Sequence, residues 1–344
     1  PAAWNAILPP AEPYASCEGN QTADVVIVGG GFAGLAAARR LHQIAPDLRI
    51  IVLEARRIAE GPSGRNSGFM IDLPHHLSSN DYAGALEADR QQTEANRLAI
   101  QFARKAAEDY GMPEEAVRPV GKINAAATDK GHHHNEDYAK HLSEMGEPFE
   151  LLDAKAMHEL CGSQYYRSGL FTPGTAMLQP ALYSRCMADG LHRSGVTIFE
   201  DSPAIRFQRE GGGWVVATPN GQVSTGKLLL TVNGHIESFG YFKRRLMHIF
   251  LFASMTRGLS SDEVVQLGGE PDWGFTPSDP LGTTVRRISG AGGDRIVVRN
   301  GFSWSPSRSV SDSKLDRVCA RHDRTFIQRF PELAGIAMEY RWGG

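Results

Sequence analysis

Asp24-Val25-Val26-Ile27-Val28 is a β-branched run with no polar alternation, the pattern of a parallel strand buried on both faces. It leads through Gly29-Gly30-Gly31-Phe32-Ala33-Gly34 into a helical pattern carrying Leu35, Ala38, Leu41 and Ile44, which Pro46-Asp47 ends. A second buried strand follows at 49–54, completing one βαβ unit. Amphipathic periodicity predicts a long helix over 81–110, closed by Gly111 and Pro113. A strand is predicted at 120–126, and Asp153 and Pro180 mark the starts of helices running to about Leu160 and Gly195. The pattern then turns to β, with strands at 196–200, 204–208, 214–218, 227–232, 246–255, 283–288 and 295–300 before a last helix over 312–330. His132-His133-His134, inside the polar run 129–137, is expected in an exposed loop. Lys243-Arg244-Arg245 is expected to precede an internal strand.

This order predicts an α/β chain with a Rossmann-type nucleotide-binding domain and an interleaved α+β domain built on an antiparallel sheet. The first domain is assigned residues 1–75, 152–240 and 305–344; the second, 76–151 and 241–304. At 344 residues the chain is long enough for two cores. Hydrophobic residues make up 41% and charged residues 22%, so neither disorder nor a membrane span is indicated. The net charge of −3 leaves no electrostatic footprint for nucleic acid. Cys17, Cys161, Cys186 and Cys319 have neither metal-ligand nor disulfide spacing. Together with the lack of a secretory pattern near residue 1, they suggest a reduced, cytoplasmic protein without a bound metal.

The chemistry centres on Gly29-x-Gly31-x-x-Gly34 with Glu54 about 20 residues beyond, at the end of the second strand. Gly29 allows the tight turn, Gly31 lets the backbone approach a pyrophosphate, and Gly34 permits close helix–strand packing. The helix N-terminus at Phe32 and Ala33 offers free N–H groups and a positive dipole end to phosphate. Glu54 suits ribose hydroxyls and would repel a 2′-phosphate, which argues against NADP. This fingerprint alone leaves FAD and NAD open. The small, polar loop Gly61-Pro62-Ser63-Gly64-Arg65-Asn66-Ser67-Gly68 tips the balance, because it can pass over a phosphate and flavin while Ser63, Arg65 and Asn66 supply donors.

The runs Val25–Gly34, Leu53-Glu54-Ala55-Arg56 and Gly61–Gly68 together resemble the amine- and amino-acid-oxidising flavoproteins, a family that includes D-amino acid oxidase, glycine oxidase and sarcosine oxidase. The Ser-Gly-Arg-Asn-x-Gly variant is most similar to the gamma-glutamylputrescine oxidoreductase branch. The resemblance implies FAD as cofactor, held by Gly29, Gly31, Phe32, Ala33, Gly34, Glu54, Ala55, Arg56, Ser63, Gly64, Arg65, Asn66 and Gly68. It adds Ala204 beside the adenine and Asn233, in Thr231-Val232-Asn233-Gly234, near the flavin. Arg341-Trp342-Gly343-Gly344 is similar to the start of the family's flavin-closing segment, so the C-terminal part of the nucleotide-binding domain is expected to be missing from these residues. No cysteine here is expected to hold the flavin covalently.

The implied activity is oxidation of the C–N bond of a small amine or N-substituted amino acid, with dioxygen or another acceptor taking the electrons. The alternative is a flavin-binding relative without its own turnover. Strand 295–300 lacks the lysine that aids dioxygen chemistry in some members, which leaves oxidase and dehydrogenase both open. No catalytic base is assigned. Arg286, Arg299 and Asn300 are the candidate substrate contacts, with strand alternation allowing only one of each adjacent pair to face a cavity. His75 and His76, just after the flavin loop, are expected in structural or surface roles.

Overall fold

A computed structural model describes residues 2–74, 86–279 and 281–344. His75 and His76 lie outside the described residues. A six-stranded sheet forms around strand Gly19–Val28, which pairs in parallel with Ile50–Leu53 on one side and Gly221–Leu230 on the other. Thr197–Phe199 extends the parallel part beyond Ile50–Leu53. Arg206–Glu210 and Gly213–Ala217 add an antiparallel hairpin at the far edge. The β-branched runs are buried as their composition requires: Val26, Ile27 and Val52 are fully inaccessible. Helix Phe32–Ile44 crosses between the two central strands, and helices Leu86–Tyr110 and Pro180–Arg193 pack beside it.

The second sheet has eight strands in the spatial order 338–343, 249–256, 293–304, 284–290, 273–277, 122–126, 168–172 and 150–153. Its pairs are antiparallel, apart from the parallel contact between Trp273–Pro277 and Lys122–Ala126. Strands 168–172 and 338–343, which fall within the segments assigned above to the nucleotide-binding domain, hydrogen-bond into this sheet. One face is covered by helices Ala154–Cys161 and Asp312–Arg329 through Met157, Phe275, Val285, Ile296, Val298, Phe326 and Phe330. The opposite face meets the first domain in a shared core that includes Trp4, Leu178, Ala253, Met255, Val297 and Trp342. A small sheet of Phe69–Met70, Ala176–Leu178 and Val117–Arg118 lies between the two.

The expected loop at His132–His134 is instead part of helix Asp129–Met145, started by Thr128, whose hydroxyl accepts from the Gly131 amide at 3.1 Å. The polar run hides the stripe Asn135, Tyr138, Leu142 and Met145, which is buried against the sheet. Arg244 and Arg245 fall in a turn ahead of strand Ile249–Thr256. Asp153 caps its helix through the Ala156 amide at 2.8 Å, and Pro180 is the first residue of its own helix.

Candidate functional site

The mouth of the site is the crossover between strand Gly19–Val28 and helix Phe32–Ile44. Gly29 has φ +107°, a conformation L side chains rarely adopt, and a Cβ there would stand 2.6 Å from the Thr231 carbonyl oxygen. Thr231 closes the turn from the other side, its hydroxyl donating to the Val28 and Gly29 carbonyls at 2.9 Å each. This sets the strand end 231–234, with Asn233 at positive φ, against the glycine turn. The helix N-cap is Gly31, which offers no side-chain cap. The Phe32 amide donates to Ser63 Oγ at 2.9 Å, while the amides of Ala33 and Gly34 lie in the first turn and so have no intrahelical acceptor. Bare N–H groups at a positive dipole end, reached over side-chain-free backbone, fit a pyrophosphate.

Glu54 stands at the mouth's edge. Its carboxylate accepts from the Gly30 amide at 2.7 Å and the Arg56 amide at 3.1 Å, and burial pushes its pKa up while those bonds pull it down. The Glu54 carbonyl accepts from Ser202, two residues before Ala204, so Ala204 lies alongside. Ala55 and Arg56 are exposed. The free lone pairs of Glu54 suit a diol, and Glu54→Ala is expected to weaken FAD binding by roughly 1.5–3 kcal/mol, the worth of hydrogen bonds to a charged acceptor. Titration of apoprotein with FAD, followed by flavin fluorescence, checks this; an unchanged affinity would remove Glu54 from the ribose.

The loop 61–68 is folded by its own side chains. Asn66 accepts from the Gly68 amide at 2.8 Å and donates to the Ser63 carbonyl at 2.7 Å. Arg65 donates to the carbonyls of Glu60 at 2.7 Å and Gly343 at 3.0 Å, and burial lowers its pKa. Gly64 packs so closely on the Ala59 backbone that a Cβ would sit 1.9 Å from its carbonyl oxygen. Residues far away in sequence hold the loop from outside. The Trp4 indole donates to the Asn66 carbonyl at 2.8 Å, and the Trp342 indole to the Arg65 carbonyl at 2.9 Å. Sequence reasoning missed Trp4 and the turn-closing hydroxyl of Thr231; a lone tryptophan near residue 1 was the available signal for the first.

Arg286 belongs to this scaffold. Its guanidinium donates to the Ser67 and Leu178 carbonyls and lies 5.3 Å over the Trp4 ring. Burial lowers its pKa to about 10. Both bonds come from Nη1, so this candidate substrate contact also ties the loop to the small sheet. Asn300 donates to Thr283 at 2.7 Å, and its carbonyl accepts from His322 on the helix-covered face. Arg299 differs from both. It lies across from Ala253 and Thr284 in register, on the face turned toward the nucleotide-binding domain. It is half-buried, desolvation lowers its pKa, and no described residue forms a hydrogen bond or ion pair with its guanidinium.

Among the described residues, no group of three or more His, Cys, Asp or Glu side chains could hold a metal, and no helix is long and apolar enough to cross a membrane. Cys161 and Cys319 are buried beneath the outer helices, away from the loop.

Residues 24–344 match the family model DAO, described as FAD dependent oxidoreductase. The chain is 25% identical over 356 residues to a probable oxidoreductase OrdL of Rhizobium meliloti, covering 99% of this chain and 77% of that one. It is 26% identical over 336 residues to the gamma-glutamylputrescine oxidoreductase of Escherichia coli, with 96% and 75% covered. In fold it is similar to glycine oxidase from Geobacillus kaustophilus, at TM-score 0.68 and 17% identity, covering 94% and 82% of the chains. It is also similar to L-amino acid deaminase from Proteus vulgaris, at TM-score 0.71 and 15% identity, covering 97% and 86%.

Proposed function

The chain belongs to the FAD dependent oxidoreductase family DAO, and from that membership we propose that it oxidises the C–N bond of a carboxylate-bearing amine or N-substituted amino acid. The observation that carries the substrate side is Arg299, a partly desolvated guanidinium facing the nucleotide-binding domain with no partner among the described residues. An arginine in that state is stabilised by an anionic ligand, and its planar fork matches a carboxylate. The E. coli relative's name points to an amine, and the names of two similar folds point to amino acids.

The protein's part is to hold and orient. The amides of Ala33 and Gly34 with Ser63 take the pyrophosphate, Glu54 takes the ribose, and the loop pinned by Trp4, Trp342 and Arg286 supports the ring. FAD supplies the acceptor for a hydride from the carbon next to nitrogen, and dioxygen or another acceptor then takes the electrons. The resulting imine is hydrolysed to an aldehyde or oxo acid. Arg299 fixes the substrate carboxylate and thereby the position of that carbon. The deciding experiment is an anaerobic screen of amines and N-substituted amino acids, read by bleaching of the flavin absorption. A yellow protein that no amine bleaches would favour a flavin-binding relative without turnover.

A further inference from the structure

Alternation along the larger sheet sorts its polar residues. Ile123, Phe275, Val285 and Val298 turn into the helix-covered core, so Lys122, Asn124, Thr276, Thr284 and Arg299 stand on the opposite face. Asn124 pairs with Thr276 and Thr284 with Arg299, while Phe275 opposite Val285 places the two pairs level. Asn124, Thr276, Thr284 and Arg299 therefore form a line across neighbouring strands, about 14 Å from end to end at a ladder spacing of about 4.8 Å.

Lys122 leans into this line from the adjoining position. Its ammonium donates to Asn124 Oδ1 and, at 3.4 Å, to Thr276 Oγ1. Lys122 is 1% exposed and Asn124 is inaccessible. Both acceptors are neutral, and among the described residues no carboxylate lies within ion-pair distance. The Asp72 carboxylate, whose charge acts on Lys122 through space, is already engaged by Arg97 at 3.1 Å. Asn124 Nδ2 and the Thr172 hydroxyl beside Lys122 are buried without a hydrogen-bond partner among the described residues. An uncompensated buried cation is costly, and native proteins keep few unsatisfied buried donors. A lysine and an amide with spare donors in one corner point to an anionic acceptor. Thr276, only partly buried, joins that corner to the line leading to Arg299.

We propose that Lys122, Asn124 and Thr276 form a second carboxylate subsite, at the end of this line remote from Arg299, so that the substrate is an amine carrying two carboxylates. This rests on the reading of the chain as an amine-oxidising flavoenzyme with Arg299 as the first anchor. One ammonium and one amide match the single charge and two oxygens of a carboxylate better than a phosphate dianion.

The test is calorimetric titration of the FAD-loaded protein with a series of α,ω-dicarboxylates from malonate to adipate, each beside the monocarboxylate of equal length. One dicarboxylate is expected to bind at least about tenfold tighter than its monocarboxylate. Lys122→Met should erase that preference and leave monocarboxylate affinity unchanged. Thr276→Val, at a partly exposed site that tolerates the change if the lysine variant does not fold, should reduce the preference several-fold. Equal affinities in the wild type, or a preference that survives both substitutions, would overturn the subsite. The flavin reading fails separately: a colourless protein that still prefers a dicarboxylate would break that reading and leave the subsite standing. A yellow, amine-bleached protein with no preference would break the subsite alone.

Discussion

Gly34→Ala is expected to abolish FAD retention and to destabilise the fold. A methyl group at position 34 would sit 1.9 Å from the Gly29 carbonyl oxygen and 2.8 Å from the Thr231 hydroxyl. The first of these is backbone, so no rotamer change relieves it. The helix must withdraw from the strand, carrying the Phe32, Ala33 and Gly34 amides with it. Overpacking of this kind costs about 1–3 kcal/mol when side chains absorb it, and more where backbone must move. Gly61→Ala is the matching control, because that residue has an ordinary negative φ and nothing within 4 Å of the added carbon. It should stay within about 0.5 kcal/mol of the wild type. Urea midpoints and flavin content after gel filtration read both effects. If Gly34→Ala keeps its flavin at wild-type affinity, this crossover is not what holds it.

Arg299→Met and Arg286→Met should separate cleanly, although both residues were candidates for the same task. Arg299 has no partner among the described residues, so its loss orphans none of them in the free protein and stability should hardly change. Its effect should appear in kcat/KM for a carboxylate-bearing amine, as a loss of about 2–5 kcal/mol, with little change for an amine lacking the carboxylate. Arg286→Met strips the donor from the Ser67 and Leu178 carbonyls, and each buried acceptor left unsatisfied costs about 1–3 kcal/mol. It should therefore lower the melting temperature and loosen flavin binding for every substrate alike. A selective catalytic loss in Arg286→Met, or a general stability loss in Arg299→Met, would reverse the assignment.

Local order along the chain was enough to establish the nucleotide-binding half. A β-branched run, a glycine turn, an amphipathic helix and a second strand ending in Glu54 lie within one short stretch, and each element is specified by neighbours in sequence. The same holds for helices started by Asp153 and Pro180, whose signals sit at the first turn. Helix 129–145 was illegible because its buried stripe uses Asn135, Tyr138 and His141, which read as polar until packing satisfies them. Alternation said that one residue of each arginine-containing pair faces a cavity, but parity cannot say which side the cavity is on. That was decided by strands far apart in sequence. Pairing with Ala253 turned Arg299 inward, whereas Leu178 and the Ser67 loop claimed Arg286. The corner at Lys122 likewise exists only because strand 273–277 lies beside strand 122–126, bringing Thr276 to a lysine some 150 residues away through a long-range pairing that no local pattern encodes.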